Sequence, residues 1–187
     1  MPHRLNRRTV VKQGIGLGVA LGLAPCVAFA QETAAAIRPK EGDLLIKVDD
    51  PTSKPLTPDD VTTGAAQVMA WAMDPVDNTI RNGSRLNRVL LLRLDESALK
   101  PETKSRAAAG VVAYTAICTH TGCDVTDWLP EGLLHCPCHF TKYDPKDAAA
   151  VIDGPAPRPL PALPLRILDG RLTVAGPFTA RVAFQQE

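Results

Sequence analysis

CTHTGCDVTDWLPEGLLHCPCHF, residues 118–140, contains four of the chain's five cysteines and three of its four histidines. The metal-binding side chains fall into two boxes, Cys118-x-His120-x-x-Cys123 and Cys136-x-Cys138-His139. Each box offers two cysteines and one histidine. A chain of 187 residues that is 45% hydrophobic can bury a core without help from a metal. We therefore interpret a metal at these boxes as functional.

Three simpler kinds of site explain only part of this pattern. A structural zinc site could take one cysteine and one histidine from each box, but the second cysteine of each box would then have no role. A disulfide scaffold alone leaves the histidines unexplained, and a thioredoxin-like redox pair requires Cys-x-x-Cys, which the chain lacks. The arrangement that uses all six side chains is a 2Fe-2S cluster in which histidines replace two cysteines.

The two boxes resemble those of Rieske proteins, and the strong part of the resemblance covers about residues 112–161. It implies one Rieske-type 2Fe-2S cluster, whose two imidazole ligands raise the potential into a range of roughly −150 to +300 mV. The prolines of GPAPRPLP, residues 154–161, are similar to the loop that covers the cluster in this family. The resemblance assigns the six side chains to three pairs: Cys118 with Cys136 on one iron, His120 with His139 on the other, and Cys123 with Cys138 in a disulfide.

The residues after His139 indicate the type of Rieske protein. High-potential members usually carry Gly-Ser after this histidine and a tyrosine two residues further on. Thr141 and Tyr143 keep the hydroxyl and the phenol, which we expect to hydrogen-bond to sulfurs around the cluster and raise its potential. Phe140 departs from the glycine and is similar to the residue in the small subunits of arsenite-oxidase-like enzymes.

The rest of the chain predicts short strands separated by proline and glycine. Continuous apolar runs at 88–94 and 111–117 indicate buried strands, and Asp169-Gly170 predicts a tight hairpin over 165–174. The expected fold is all-β, a Rieske-type antiparallel β sandwich or barrel with an inserted cluster-binding subdomain. We place a lead-in segment at 31–64, with one short strand at 44–48, and the Rieske domain at 65–187, with its subdomain at about 112–161.

Residues 1–30 have the features of an export segment. They carry four basic residues and no acid, an apolar run at 14–30, and Ala28-Phe29-Ala30 as a cleavage site. Arg7-Arg8, followed by an apolar pair and Lys12, resembles the twin-arginine signal. The run is shorter than the roughly 20 residues that span a bilayer, so we expect cleavage and a periplasmic protein. The alternative is an anchor in the inner membrane through 14–30.

The charge balance argues against a nucleic-acid partner. Without the four basic residues of the export segment, the chain has 17 basic and 20 acidic residues. No cluster of basic residues interleaved with aromatic residues is evident in the sequence. An oxidising compartment outside the cytoplasm would also allow the disulfide to persist.

The resemblance implies an exported electron-transfer protein that moves single electrons from a quinol to a c-type cytochrome, as in a cytochrome bc complex. Such a chain is a subunit of an oxidoreductase complex and has no complete active site of its own. A second interpretation is the small electron-transfer subunit of a periplasmic molybdenum oxidase resembling arsenite oxidase. A structural zinc module is the alternative from another functional class.

Overall fold

The computed structural model describes residues 34–184. The export segment predicted at 1–30, including Cys26, therefore lies outside the described residues. Within residues 34–184, no helix has the length and apolar character needed to cross a membrane. The cluster boxes and residues 65–184 of the expected β domain fall inside this range.

The larger of the two sheets is antiparallel and six-stranded, in the order β4-β3-β2-β1-β10-β9. Its strands are β1 (Leu44–Lys47), β2 (Val68–Met73), β3 (Val89–Arg93), β4 (Val111–Thr115), β9 (Leu165–Leu168) and β10 (Arg171–Val174). The sheet curls so that its two edges approach. Thr115 N donates to Pro161 O at 3.0 Å and Leu163 N to Ala113 O at 2.9 Å, which joins β4 to the segment that enters β9. The result is a barrel-like body.

The smaller sheet is also antiparallel and is inserted between β4 and β9 in the chain. Its strands, in the order β5-β6-β7-β8, are β5 (Asp127–Trp128), β6 (Leu134–Cys136), β7 (Thr141–Asp144) and β8 (Ala150–Asp153). It therefore carries the second cysteine box, and its strands lie within the stretch where a subdomain was predicted. The prediction of an all-β antiparallel fold with an inserted cluster-binding region is confirmed.

The continuous apolar run of β3 is explained by burial on both faces. Successive side chains of a strand point to opposite faces. Val89 and Leu91 pack into a core inside the barrel, while Leu90 and Leu92 pack into a second core. The second core also contains Leu134 and other residues of the smaller sheet. Strand β3 thus packs against the smaller sheet, which carries the second cysteine box.

The strand predicted at 44–48 has a more central position than the sequence suggested. It forms β1, which pairs with β2 on one side and with β10 on the other. Three of its residues are buried, so this part of the predicted lead-in segment is integral to the sheet. Its partner β2 begins at Val68, close to the start of the predicted Rieske domain. Between β3 and β4 the chain forms a single helical turn, Pro101–Lys104.

Short helical turns connect several strands. One of them matters for the site: the 3-10 turn Arg85–Asn87, between β2 and β3, begins after Ser84, whose side chain accepts a hydrogen bond from Leu86 N. The other two 3-10 turns of the described chain are Pro58–Asp60 and Glu96–Ala98.

Candidate metal centre

The first cluster loop, residues 116–124, leaves the end of β4 and closes on itself. Cys118 N donates to Cys123 O at 2.7 Å, and Gly122 N donates to Cys118 O at 3.1 Å. Gly122 has a φ of +81°, a left-handed conformation that glycine adopts without steric cost. The turn holds Cys118 in the buried interior and leaves His120 half-buried at the end of the molecule.

The second cluster loop, residues 137–140, is the connection of the β6–β7 hairpin. Cys136 on β6 is paired with Thr141 on β7, so the four residues between them form the turn. Both of these flanking residues are buried, whereas all four turn residues are exposed. The hairpin therefore places one cysteine in the interior and His139 at the surface.

A disulfide between Cys123 and Cys138 links the two loops. This is the pairing implied by the Rieske resemblance. Within the described chain, Cys118 and Cys136 are the free cysteines, and both are buried. The Cys136 sulfur lies within 4.8 Å of both disulfide sulfurs. Since disulfide sulfurs are not thiolates, Cys118 and Cys136 remain as the candidate thiolate ligands of a metal centre.

The two loops also bring together the histidines of the boxes. The rings of His120 and His139 have centroids 4.6 Å apart and planes at 88° to one another. The Nδ1 atom of His120 is buried and has no hydrogen-bond partner within residues 34–184. A buried ring nitrogen of this kind is normally paired with a donor, an acceptor or a metal. The orphaned nitrogen therefore fits a metal ligand.

Tyr143 lies behind the site, on β7, and is completely buried. Its Oη atom is 3.2 Å from Cys118 Sγ and 3.4 Å from Thr119 N. Burial, supported by the nearby Cys118, raises the pKa of Tyr143, so the phenol stays protonated at neutral pH. A protonated phenol donates a hydrogen bond to a Cys118 thiolate.

Thr141 is also fully buried, and its Oγ1 atom has no partner among the described protein atoms. Gly154, where the proline-rich loop begins, packs directly against it. A Cβ atom on Gly154 would lie 2.5 Å from Thr141 Cα, so this close approach requires glycine. The structure thus places both predicted hydroxyl groups beside the candidate centre: one contacts a cysteine ligand, and the other is an unsatisfied donor.

These features fit a 2Fe-2S cluster. Burial raises the pKa of the Cys136 thiol to about 11, and the neighbouring Cys118 side chain acts in the same direction. Ligation requires thiolates, and a positively charged metal centre would stabilise them in this buried environment. Two buried thiols, an orphaned imidazole nitrogen and an orphaned hydroxyl are therefore all explained by one cofactor.

Three features of the site were not anticipated from the sequence. One is the environment of His135, whose side chain is only 13% exposed and whose Nδ1 lies 3.0 Å from Asp127 Oδ2 on the neighbouring strand. The left-handed backbone of Phe140 and the contacts of two arginines with the first cluster loop were also missed. Each depends on distant pairing or on a backbone angle, neither of which a side-chain pattern reveals.

Two cysteine-and-histidine loops, joined by a disulfide and supported by antiparallel sheets, define an iron–sulfur electron carrier of the Rieske class. Comparison with known proteins agrees: the model of the Rieske [2Fe-2S] domain matches residues 87–164. The cytochrome bc1 complex Rieske iron-sulfur subunit of Streptomyces lividans is 34% identical over 144 residues, covering 74% of this chain and 82% of that relative. The chain belongs to the Rieske [2Fe-2S] family.

Other similar proteins differ in length and context. A putative respiratory nitrate reductase subunit Rieske from Haloferax mediterranei is 42% identical over 104 residues, which cover 54% of this chain but only 47% of that relative. Among solved structures, the soluble domain of Rieske protein II from Sulfolobus acidocaldarius superposes with a TM-score of 0.36 at 16% identity, covering 84% of this chain and 79% of that chain. Family membership establishes one 2Fe-2S cluster and a role in electron transfer.

Proposed function

We propose that this protein is an exported Rieske subunit that carries single electrons from a quinol to a c-type cytochrome within a complex of the cytochrome bc type. The observation that carries the proposal is the asymmetry of the site. The Cys118 and Cys136 side chains are buried, whereas His139 is exposed beside the exposed Phe140. A donor molecule can therefore contact His139 directly, whereas the buried Cys118 and Cys136 are not accessible to it.

The residues of the two loops have distinct roles in this proposal. Cys118 and Cys136 would hold one iron, and His120 and His139 the other. When bound there, the cluster accepts and releases one electron at a time. The exposed ring of His139 accepts a hydrogen bond from the quinol hydroxyl at its free nitrogen, and so can take the proton as the electron leaves the quinol.

The remaining residues near the site keep water away and stabilise negative charge. Tyr143 donates its phenol proton toward Cys118 Sγ, 3.2 Å away. Thr119 holds the proline-rich loop in place, because its Oγ1 donates a hydrogen bond to Arg158 O at 2.7 Å. The loop therefore lies against the base of the first cluster loop and shields the buried cysteines from solvent.

A second candidate function is an electron-transfer subunit of a periplasmic molybdenum oxidase resembling arsenite oxidase. Phe140 favours it, because this residue replaces the glycine usual in high-potential Rieske proteins. The relative from Haloferax mediterranei supports the broader idea, since its name assigns a Rieske chain to a respiratory nitrate reductase rather than to a bc1 complex. Both candidates make the chain a subunit of a larger redox complex.

The proposed location is the periplasm, reached by the twin-arginine route. The disulfide supports a location outside the cytoplasm, because the reducing cytoplasm does not let such bonds persist. Twin-arginine export moves proteins that are already folded, which suits a cofactor inserted before export. A retained segment at 14–30 would attach the protein to the inner membrane, as the quinol-oxidising candidate requires.

The test is to isolate the full-length protein from its native membranes with the proteins bound to it. We expect quinol to reduce the cluster, seen by electron paramagnetic resonance, and a c-type cytochrome to become reduced in the same preparation, seen by visible absorption. Copurification with a molybdenum-containing subunit, with no reduction by quinol, would overturn the first candidate in favour of the second. Sizing the N-terminus would test the export segment separately.

A further inference from the structure

Two arginines of the barrel contact the back of the first cluster loop. Arg85, in the 3-10 turn after β2, donates from Nη2 to Gly122 O and from Nη1 to Asp124 Oδ1 at 3.3 Å. Arg88, at the end of the same turn, forms an ion pair between Nη2 and Asp124 Oδ2. Two cations of the barrel therefore meet one carboxylate of the cluster loop.

This group of charges lies close to the candidate centre. Asp124 directly follows Cys123, whose sulfur lies within 4.8 Å of the sulfur of the iron ligand Cys136. The side chains of Arg88 and Asp124 are 25% and 36% exposed, so solvent and salt screen this pair only in part, whereas the Arg85 side chain is 56% exposed and is screened more strongly. The charges therefore adjoin the residue whose sulfur lies beside Cys136, and an electrostatic effect on the candidate centre is expected to be strongest from such neighbouring, partly buried groups.

The loop has little freedom to move away from these contacts. Gly122 is buried between the C-terminal segment and the arginines. A Cβ atom placed on it would lie 3.3 Å from Phe184 Cδ1 and 3.4 Å from Arg85 Nη2. The loop is thus confined on both sides, which keeps the distance between the charges and the cluster fixed.

We propose that Arg85 and Arg88, the arginine clamp, position the first cluster loop through Asp124 and raise the midpoint potential of the cluster by their net positive charge. Reduction adds one negative charge to the cluster, so a nearby net positive charge favours the reduced form. Asp124 limits the effect by neutralising one of the two cations. The inference deepens the proposed function, because it concerns the potential at which the proposed carrier works.

The test compares Asp124→Asn with Arg88→Gln in purified, cluster-loaded protein, with the midpoint potential measured by redox titration followed by visible circular dichroism. Asp124→Asn should raise the potential and Arg88→Gln should lower it, while Arg88→Lys, which keeps the charge, should stay near the wild-type value. Shifts of Asp124→Asn and Arg88→Gln in the same direction would indicate only a loosened loop and overturn the proposal. An unchanged midpoint potential in both variants would also overturn the proposal.

Another arginine–carboxylate pair provides the matched control. Arg166 Nη1 lies 2.7 Å from Glu41 Oε1 on the exposed surface of the larger sheet. Arg166→Gln and Glu41→Gln should leave the potential unchanged, and shifts as large as those of the clamp variants would mean that the effect has no local origin. No quinol or cytochrome takes part in this measurement, so its outcome is independent of the proposed electron donor and acceptor.

Discussion

Phe140 shows how a single backbone angle constrains a residue next to the site. Its φ is +62°, in the left-handed region, and its side chain is 69% exposed. Residues other than glycine adopt this region at a cost of roughly 1–2 kcal/mol. This explains why a glycine suits the position in the high-potential proteins that the chain resembles. The backbone angle of Phe140 therefore costs stability.

Phe140→Gly should be more stable than Phe140→Ala by about 1 kcal/mol, because both variants remove the ring and only glycine tolerates the left-handed angle without strain. The free energy of unfolding, measured by urea denaturation, checks this. At Val76, which is exposed and has no positive φ, the order should reverse, with glycine less stable than alanine. An alanine variant at position 140 as stable as the glycine variant would contradict the strain argument.

Tyr143→Phe should lower the midpoint potential, because it removes the phenol that donates toward Cys118 Sγ. A hydrogen bond worth about 1 kcal/mol more in the reduced state corresponds to roughly 40 mV for a one-electron step. Redox titration of the loaded protein measures the shift. Tyr114→Phe is the matched control, because this buried phenol donates to Pro145 O at 2.8 Å and should not affect the potential. Equal shifts in both variants would contradict a specific role for Tyr143.

The strands differ in how far the sequence predicts them. The hairpin of β9 and β10 could be predicted because Asp169 and Gly170 both adopt the positive φ angles of a tight turn, at +51° and +76°. Strand β7, with the sequence TKYD, has no extended apolar run, so its role depends on pairing with β6 and β8. The two cysteine-and-histidine boxes could be recognised in the sequence because residue types and spacing are local, whereas the arginine contacts join segments far apart in the chain.

The two cluster loops are separate elements that the disulfide makes into one unit. Cys123→Ser combined with Cys138→Ser should lower the free energy of unfolding by about 3 kcal/mol, because the cross-link closes a loop with a sequence separation of 15. The cluster should also be released at a lower urea concentration, since one proposed cysteine ligand and one proposed histidine ligand lie in or directly beside each loop. Far-ultraviolet circular dichroism and the visible absorption of the cluster measure the two effects. An unchanged release midpoint in the double variant would show that the loops hold together without the disulfide.

At the scale of the whole molecule, a buried polar network attaches the start of the described chain to the barrel. Arg81 and Asp43 are almost completely buried and joined by an ion pair of 3.0 Å. Asn87, also buried, donates from Nδ2 to Ile37 O at 2.8 Å and accepts from Arg38 Nη1 at 2.9 Å. The turn that carries Asn87 also carries the arginine clamp. One short connection therefore contacts both the N-terminal segment and the first cluster loop.

Asp74 makes the stability of this network depend on pH. Hydrogen bonds from Lys40 and from Val76 N, together with the charge of Arg81, hold the pKa of Asp74 below its ordinary value. A carboxyl group whose pKa is lower in the folded state stabilises the fold above its unfolded pKa of about 4, and this contribution is lost as the pH falls toward the folded value. Asp74→Asn should therefore unfold more easily than the wild type at pH 7, and the difference should shrink as the pH falls below about 4.

Glu41→Gln, at the exposed pair with Arg166, is the control and should cost less than about 1 kcal/mol of unfolding free energy at pH 7. A difference between Asp74→Asn and the wild type that stays constant from pH 7 to pH 3, measured by urea denaturation, would contradict this assignment of the acid-sensitive stability.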